Sequence, residues 1–328
     1  YAQTIAYGLL SARVSRPAGL VADNITDMVP VTNPFLKELL EEFLHVGGRK
    51  KQGKTGLDFD ELGVTEVVET LRVANMEAVL RDFGDKNPEE DPVIHFYELF
   101  LQQYDNQQRM QRGVFYTPRP VVSYIVRAVH DLLKTEFGLE DGLADTASWG
   151  DMVARHPDMR IPEGVNPAQD FVQILDPATG TGTFLVEVIG LVHETLCAKW
   201  RAAGLSDSQI TDEWNSYVPK HLLTRLHGYE LLMAPYAIAH LKTAVKLYET
   251  GYRFLDRERA RIFLTNTLEP PSDKQKGFDF LPALAHEALI VDRIKRECRF
   301  TVMIGNPPYS NFGQQNRNEW IQGLVSDY

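Results

Sequence analysis

Phe171-Val172-Gln173-Ile174-Leu175-Asp176-Pro177-Ala178-Thr179-Gly180-Thr181-Gly182-Thr183-Phe184 is the stretch that decides the fold. Residues 171–175 are mostly apolar and predict a buried strand; a helix is predicted from about Thr183 to Trp200. Between them, Gly180 and Gly182 let backbone approach a ligand at the carboxyl end of the strand, where open α/β sheets bind. The Gly-x-Gly-x-Phe spacing lacks the third glycine of a dinucleotide fingerprint. Asp176, at the strand end, suits the ammonium of an amino-acid-like ligand. A tight strand-to-helix turn with no ligand is the other reading of the same residues.

Outward from this stretch the pattern repeats. Strands are predicted at Arg225–Tyr229, Arg261–Leu264 and Phe300–Ile304, with a helix from about Leu232 to Tyr248. Strands alternating with helices predict an α/β fold with a parallel sheet and helices on both faces. Two insertions, roughly residues 138–170 and 270–297, interrupt the rhythm. The first is rich in Asp, Gly and Pro and reads as a surface excursion. Residues 1–110 read as mostly helical, from apolar residues at helical spacing in Phe35–Leu44, Val64–Phe83 and Phe96–Tyr104. The expected division is therefore a helical region over 1–110 and a sheet domain over 111–328.

Composition narrows the class. The 328 residues are 44% hydrophobic and 24% charged, an ordinary globular profile. The net charge of −11 counts against this region being the main grip on a nucleic acid, although a local basic cleft or another domain can supply one. No run of apolar residues is long enough to span a membrane, and Tyr1–Leu10 lacks the basic start of a signal peptide. Cys197 and Cys298 make neither a disulfide framework nor a zinc-ligand spacing, which places the protein in a reducing cytoplasm. His193, His227 and His240 have no ligand spacing either and read as surface or satisfied core residues, so no metal is expected.

One motif is a decoy. Gly48-Arg49-Lys50-Lys51-Gln52-Gly53-Lys54-Thr55 satisfies the phosphate-loop pattern, but a phosphate loop must follow a buried strand and open a helix. Here an amphipathic helix precedes it and Gly56-Leu57-Asp58-Phe59-Asp60 follows. A basic loop touching phosphate or a neighbouring domain, or a solvated charge run, is the better reading.

Two later turns carry chemistry. Gly228-Tyr229-Glu230 puts an acid at the end of the second strand, where it suits a bidentate contact to ribose hydroxyls; a plain helix N-terminal acid is the alternative. Asn306-Pro307-Pro308-Tyr309 follows the fourth strand. Its prolines remove two backbone donors, so the Asn306 side-chain oxygen and a Pro carbonyl can both accept from an amino group. That pulls a planar amine towards tetrahedral geometry and localises its lone pair. Tyr309 offers a ring on which an extruded base can stack. The bland alternative is a polar turn.

Together these motifs resemble the DNA amino-methyltransferases, in the order of the gamma arrangement. Gly113-Val114-Phe115-Tyr116-Thr117-Pro118 is similar to the element that opens adenine methyltransferases of that group. The resemblance implies a Rossmann-like, S-adenosylmethionine-dependent methyltransferase sheet. Tyr116, Thr117 and Pro118 would meet the methionine part of the cofactor. Asp176, Ala178, Gly180, Gly182, Thr183 and Phe184 would line its other side, and Glu230 would hold the ribose. Asn266, in Leu264-Thr265-Asn266-Thr267, stands where the family often has an Asp near the cofactor's adenine. Asn306, Pro307, Pro308 and Tyr309 would form the catalytic pocket for an adenine flipped out of double-stranded DNA.

A narrower likeness adds context. Tyr104-Asp105, Arg112–Pro118, Val121-Val122, Gly142-Leu143-Ala144-Asp145 and Leu57–Val64 look like the large single-chain Type ISP restriction-modification enzymes. The implied parent joins a nuclease and an ATP-driven motor, which would use ATP and Mg elsewhere, through a helical coupler to a methyltransferase and a target-recognition domain. Residues 1–110 would be that coupler. The chain begins without Met and only about twenty residues follow Asn306, so a piece of a longer protein is expected, with the fourth strand exposed as an edge and transfer by the piece alone doubtful. Cytosine C5 methylation is excluded because neither cysteine sits in a Pro-Cys turn. Cytosine N4, protein glutamine, and a coupling and cofactor-sensing module without catalysis remain open.

Overall fold

The computed structural model describes residue 35 and residues 64–74, 117–253, 258–271 and 282–307. In chain order these give α1 (Val64–Val73), α2 (Arg119–Thr135), α3 (Trp149–Arg155), β1 (Ile174–Asp176), α4 (Thr183–Ala202) and α5 (Asp207–Tyr217). There follow β2 (Leu226–Glu230), α6 (Met233–Glu249), β3 (Arg261–Leu264), α7 (Pro282–Glu297) and β4 (Val302–Met303). Proline in the first turn of α2 fixes φ where no intrahelical donor is needed, and Val122, Val126, His130 and Leu133 repeat on its buried face. α3 and α5 each start on a reciprocal cap, Ser148 with Asp151 and Ser206 with Gln209.

The four strands form one wholly parallel sheet in the order β3-β2-β1-β4. Successive side chains on a strand point to opposite faces, and both faces are apolar here. Ile174 and Ile262 enter the larger core, shared with Val126 of α2, Val188 of α4 and Tyr236 of α6. Leu175, Tyr229 and Phe263 face the other way, against Val291 of α7. The α/β reading of the sequence is borne out, with helices on both faces. β4 lies at one edge of the described sheet, as expected.

The first insertion is only partly what its composition suggested. Residues 138–170 do not simply ride on the surface: Leu139, Leu143, Trp149, Met152 and Val165 are buried in the main core, while residues 153–164 and 166–170 are exposed or half-buried. A fully buried Arg225, just ahead of β2, pins this segment. Its guanidinium donates to the carbonyls of Leu143 (3.0 Å) and Asp145 and to the Tyr217 hydroxyl, which in turn donates to Ala144 O at 2.7 Å. Turn-forming residues dominate the composition, but the apolar residues between them decide where the segment packs. In the second insertion, α7 fills residues 282–297 and is the helix that covers the second face. Arg259 binds both carboxylate oxygens of the buried Glu287 at 2.6 Å and fastens α7 beside β3.

In the N-terminal region, helix is described only over α1 and at Phe35, so the rest of the predicted 35–44, 64–83 and 96–104 helices lies outside the described residues, as does the Gly48–Thr55 loop. Phe35 is buried in the main core, edge-on to Tyr236 at 5.8 Å. Of the three histidines singled out in the sequence, His227 and His240 are buried and His193 is half-buried; His240 Nε2 lies 3.1 Å from Ile262 O, and His193 Nε2 lies 3.3 Å from Cys197 Sγ. No described helix is long and apolar enough to cross a membrane, and among the described residues no acid, His and Cys cluster could hold a metal ion.

If residues 138–170 belong to the core, Leu143→Ala should cost roughly 2–5 kcal/mol of stability, the range for a buried leucine. A surface segment would lose no more than about 0.5 kcal/mol. Denaturant unfolding of the two proteins separates these outcomes.

Candidate functional site

Because all four strands run parallel, their carboxyl ends share one edge of the sheet. There β1 ends in Asp176, β2 ends in Glu230, β3 leads into Thr265–Glu269, and β4 leads into Gly305-Asn306-Pro307. In the order β3-β2-β1-β4 the chain runs one way from β1 through β2 to β3 and returns to the other side of β1 with β4. The crevice at such a switch point is where open α/β sheets take ligands.

The Gly-rich loop is fixed from several sides. Thr179 N donates to Tyr229 O at 2.9 Å and its hydroxyl to Asp176 O at 3.1 Å. Gly180 and Gly182 both have positive φ, 55° and 83°, and a Cβ on Gly182 would stand 3.1 Å from Ala239 of α6. Nothing lies within 4 Å of where a Cβ on Gly180 would be, so the backbone is open there. Gly182 is the N-cap of α4, which has no side-chain cap and no acid in its first turn. Its leading amides therefore face the loop with the partial positive charge of a helix N-terminus.

Two carboxyls stand beneath the loop. Asp176 is fully buried; Oδ1 accepts from Ala178 N at 3.1 Å, and Oδ2 has no hydrogen-bond partner among the described residues. Burial pushes its carboxyl up to about 7; the Ala178 amide opposes this and the nearby Glu230 reinforces it. A buried, half-satisfied carboxyl of this kind is a ready acceptor for a cation. Glu230 is also buried, and burial raises its pKa against the pull of backbone amides. Oε2 accepts from Gly180 N at 2.8 Å and Oε1 from Leu232 N at 2.7 Å. Each oxygen keeps a second lone pair, so bracing the loop does not exhaust the group.

Across the β1–β4 boundary the turn after β4 is pressed onto the Asp176 loop. Ile304 N donates to Leu175 O at 3.0 Å, and a Cβ on Gly305 would stand 2.6 Å from Asp176 Oδ1. Asn306 is exposed, and its Nδ2 donates to Thr117 Oγ1 at 3.0 Å, across 189 residues of chain. Thr117 and Pro118 stand immediately before α2. The sequence-derived residues Thr117, Pro118, Asp176, Ala178, Gly180, Gly182, Glu230, Asn306 and Pro307 thus gather along one edge. Tyr116, Pro308 and Tyr309 lie outside the described residues.

Three of the candidates have structural work of their own. Phe184 is buried in the core beneath the loop, and Thr183 Oγ1 accepts from Lys242 Nζ at 3.5 Å. Asn266 caps its own turn, with Oδ1 accepting from Leu268 N at 3.1 Å and Nδ2 donating to Glu269 Oε1 at 3.4 Å. Residues that the sequence reading passed over hold this turn in place. Thr267 Oγ1 donates to Pro177 O, and Lys295 of α7 donates to Asn266 O at 2.7 Å and Glu269 O at 2.8 Å. Lys295 also lies over the Tyr229 ring at 5.8 Å. Only Gly305, directly ahead of Asn-Pro-Pro, carried a signal in the sequence.

The model of the N-6 DNA Methylase family matches residues 88–148. No curated protein matches the chain. Among solved structures, the chain is similar to the ATP-dependent Type ISP restriction-modification enzyme LlaBIII bound to DNA, with 20% identity and a TM-score of 0.49 over 98% of this chain. It is similar to a nuclease-deletion mutant of the Type ISP restriction-modification enzyme LlaGI in complex with a DNA substrate mimic, with 22% identity and a TM-score of 0.45 over 96%. A DrdV–DNA complex gives 20% identity and a TM-score of 0.49 over 100%. The chain spans 20%, 22% and 29% of the length of these three proteins.

The Asp176 carboxyl predicts a pH dependence of known sign. Its folded value, about 7, lies above the ordinary 3.8, so folding favours the protonated form. Its contribution to stability is therefore fully present below pH 3.8, is lost as pH rises towards 7, and is constant above that. Asp176→Asn should flatten the fall of Tm between pH 5 and 8, leaving a remainder from Glu230 and Glu287, which shift the same way. An unchanged slope would place the Asp176 carboxyl in a wetter setting than the structure gives it.

Proposed function

We propose that this chain is the catalytic front of a DNA adenine-N6 methyltransferase, using S-adenosylmethionine, within a larger restriction-modification enzyme. The observation that carries the reading is the hydrogen bond between Asn306 and Thr117, set against the Asp176–Gly182 loop: three elements far apart in sequence meet in the crevice beside β1. The N-6 DNA Methylase match over residues 88–148, which spans the Tyr-Thr-Pro element, supports it independently. In this reading residues 111–328 belong to the methyltransferase domain and residues 1–110 to a helical coupler. Nuclease, motor and target-recognition domains would be partners in the same parent.

The residues present fit such a cofactor. The orphaned Oδ2 of buried Asp176 is placed to accept from an ammonium, and the uncapped start of α4 suits a carboxylate. Glu230 keeps lone pairs for two ribose hydroxyls, and the turn at Asn266 stands beside them at the end of β3. Bound there, S-adenosylmethionine would supply a sulfonium methyl that the amine nitrogen takes as the sulfur–carbon bond breaks, before the nitrogen releases its extra proton. Asn306 Oδ1 and Pro307 O would accept the two amine hydrogens and turn the nitrogen lone pair out of the base plane. Tyr309 would stack on the flipped adenine. No side chain need act as a strong base, and rate would come from holding two reactants in line.

A second reading, a coupling and cofactor-sensing module, is favoured by one observation. Phe35 of the N-terminal region is buried against Tyr236 on α6, the helix that packs on Gly182. A motor whose rate ignored S-adenosylmethionine would argue against it.

Methyl transfer is tested with the full-length protein, methyl-labelled S-adenosylmethionine and mixed-sequence DNA, followed by nucleoside separation. Label should appear on N6-methyladenine and vanish with Asn306→Ala, while cofactor affinity holds. Label on N4-methylcytosine, or on protein glutamine, would change the substrate; equal loss of affinity and transfer would remove Asn306 from its assigned role.

A further inference from the structure

We propose that Thr117 is a positioning residue for Asn306, holding its side chain at the edge of the crevice with Nδ2 engaged and Oδ1 free for the reacting amine, rather than chiefly a contact to the cofactor. The inference rests on the methyltransferase reading above and deepens it. An Asn side chain presents either an acceptor or two donors, depending on a rotation of its amide. Only the acceptor end serves amine transfer, because donors facing an amine would hold its lone pair in competition with the methyl group.

The backbone of the turn does not settle this rotation. Pairing of Ile304 N with Leu175 O and the tight contact of Gly305 on Asp176 fix where Asn306 stands. Its side chain is exposed, and an exposed amide turns freely unless something holds it. Thr117 Oγ1 accepts one Nδ2 hydrogen at 3.0 Å, which leaves Oδ1 as the end available to the crevice.

Thr117 is itself rigidly presented. It is half-buried and directly precedes Pro118, whose ring fixes φ at −55° and whose carbonyl accepts from Val121 N at 2.9 Å and Val122 N at 3.1 Å. Val122 and Val126 then anchor α2 in the core. The hydroxyl therefore reports the position of α2 directly to the catalytic turn. An element that would close over the cofactor would at the same moment align the acceptor for the base.

The test compares Thr117→Val, which keeps the shape and loses the hydroxyl, with Thr117→Ser, which keeps the hydroxyl. In the full-length protein, kcat for adenine methylation is measured at saturating DNA and S-adenosylmethionine, and Kd for S-adenosylhomocysteine by calorimetry. Thr117→Val should lower kcat by about 10- to 100-fold, the scale of a small misplacement of a reacting group. Its Kd and Tm should hold, and Thr117→Ser should recover most of the rate. A weakened Kd with kcat intact at saturation would make Thr117 a cofactor contact and overturn the inference. So would an unchanged kcat, or a serine variant as slow as the valine one. A wild-type protein that methylates no amine would sink both the functional reading and this inference; a normal wild type with an indifferent Thr117→Val sinks the inference alone.

Discussion

Between Gly305 and Asp176 there is no space for even a methyl group, since a Cβ at 305 would stand 2.6 Å from Asp176 Oδ1. That closeness follows from β4 lying directly against β1 in parallel, with Ile174 beside Val302 and Leu175 beside Met303, residues far apart in the chain. Everything proposed for the site depends on this placement. Had β4 paired outside β3, Asn306 would open onto a different crevice from the Gly-rich loop. With β4 beside β1, the return of the chain lays the turn after β4 against the loop after β1, with Asp176 buried between them.

Burying a carboxyl at this boundary has a cost that the rest of the domain offsets. Asp176 is buried with one carboxylate oxygen unpartnered among the described residues, an arrangement that folding alone disfavours. Around it the backbone is heavily constrained. Glu230 takes the amides of Gly180 and Leu232, Thr179 bonds across to Tyr229, and Thr267 and Lys295 fasten the turn after β3. Unmet polarity at a rigidly supported position is what the proposed cofactor site rests on.

Much of this was legible in the sequence because it is local. The strand at Arg261–Leu264 is observed with the predicted bounds, and the other three are shifted or shortened by one to three residues at an end. Asp176, the glycines and Glu230 announce themselves by sitting where a strand gives way to a turn. What could not be read is long-range. Nothing local gives Arg225 its partners, two carbonyls of the 138–170 insertion and the Tyr217 hydroxyl, and Lys295 reads as a last-turn helix charge until it is found on two carbonyls of another loop. In the first insertion Asp, Gly and Pro set the texture of the sequence, while Leu139, Leu143 and Trp149 set the packing of its first half. The Thr117–Asn306 bond crosses 189 residues, and no periodicity reports such a pair.

The central claim is that one crevice, beside β1, takes the cofactor. Ultraviolet cross-linking of methyl-labelled S-adenosylmethionine to the full-length protein, followed by peptide mapping, tests it most directly. The account predicts label on peptides carrying Thr117, residues 176–184, Glu230 or Asn306, and competition by unlabelled S-adenosylhomocysteine. Label confined to peptides outside this edge, such as the basic Gly48–Thr55 loop, would contradict it.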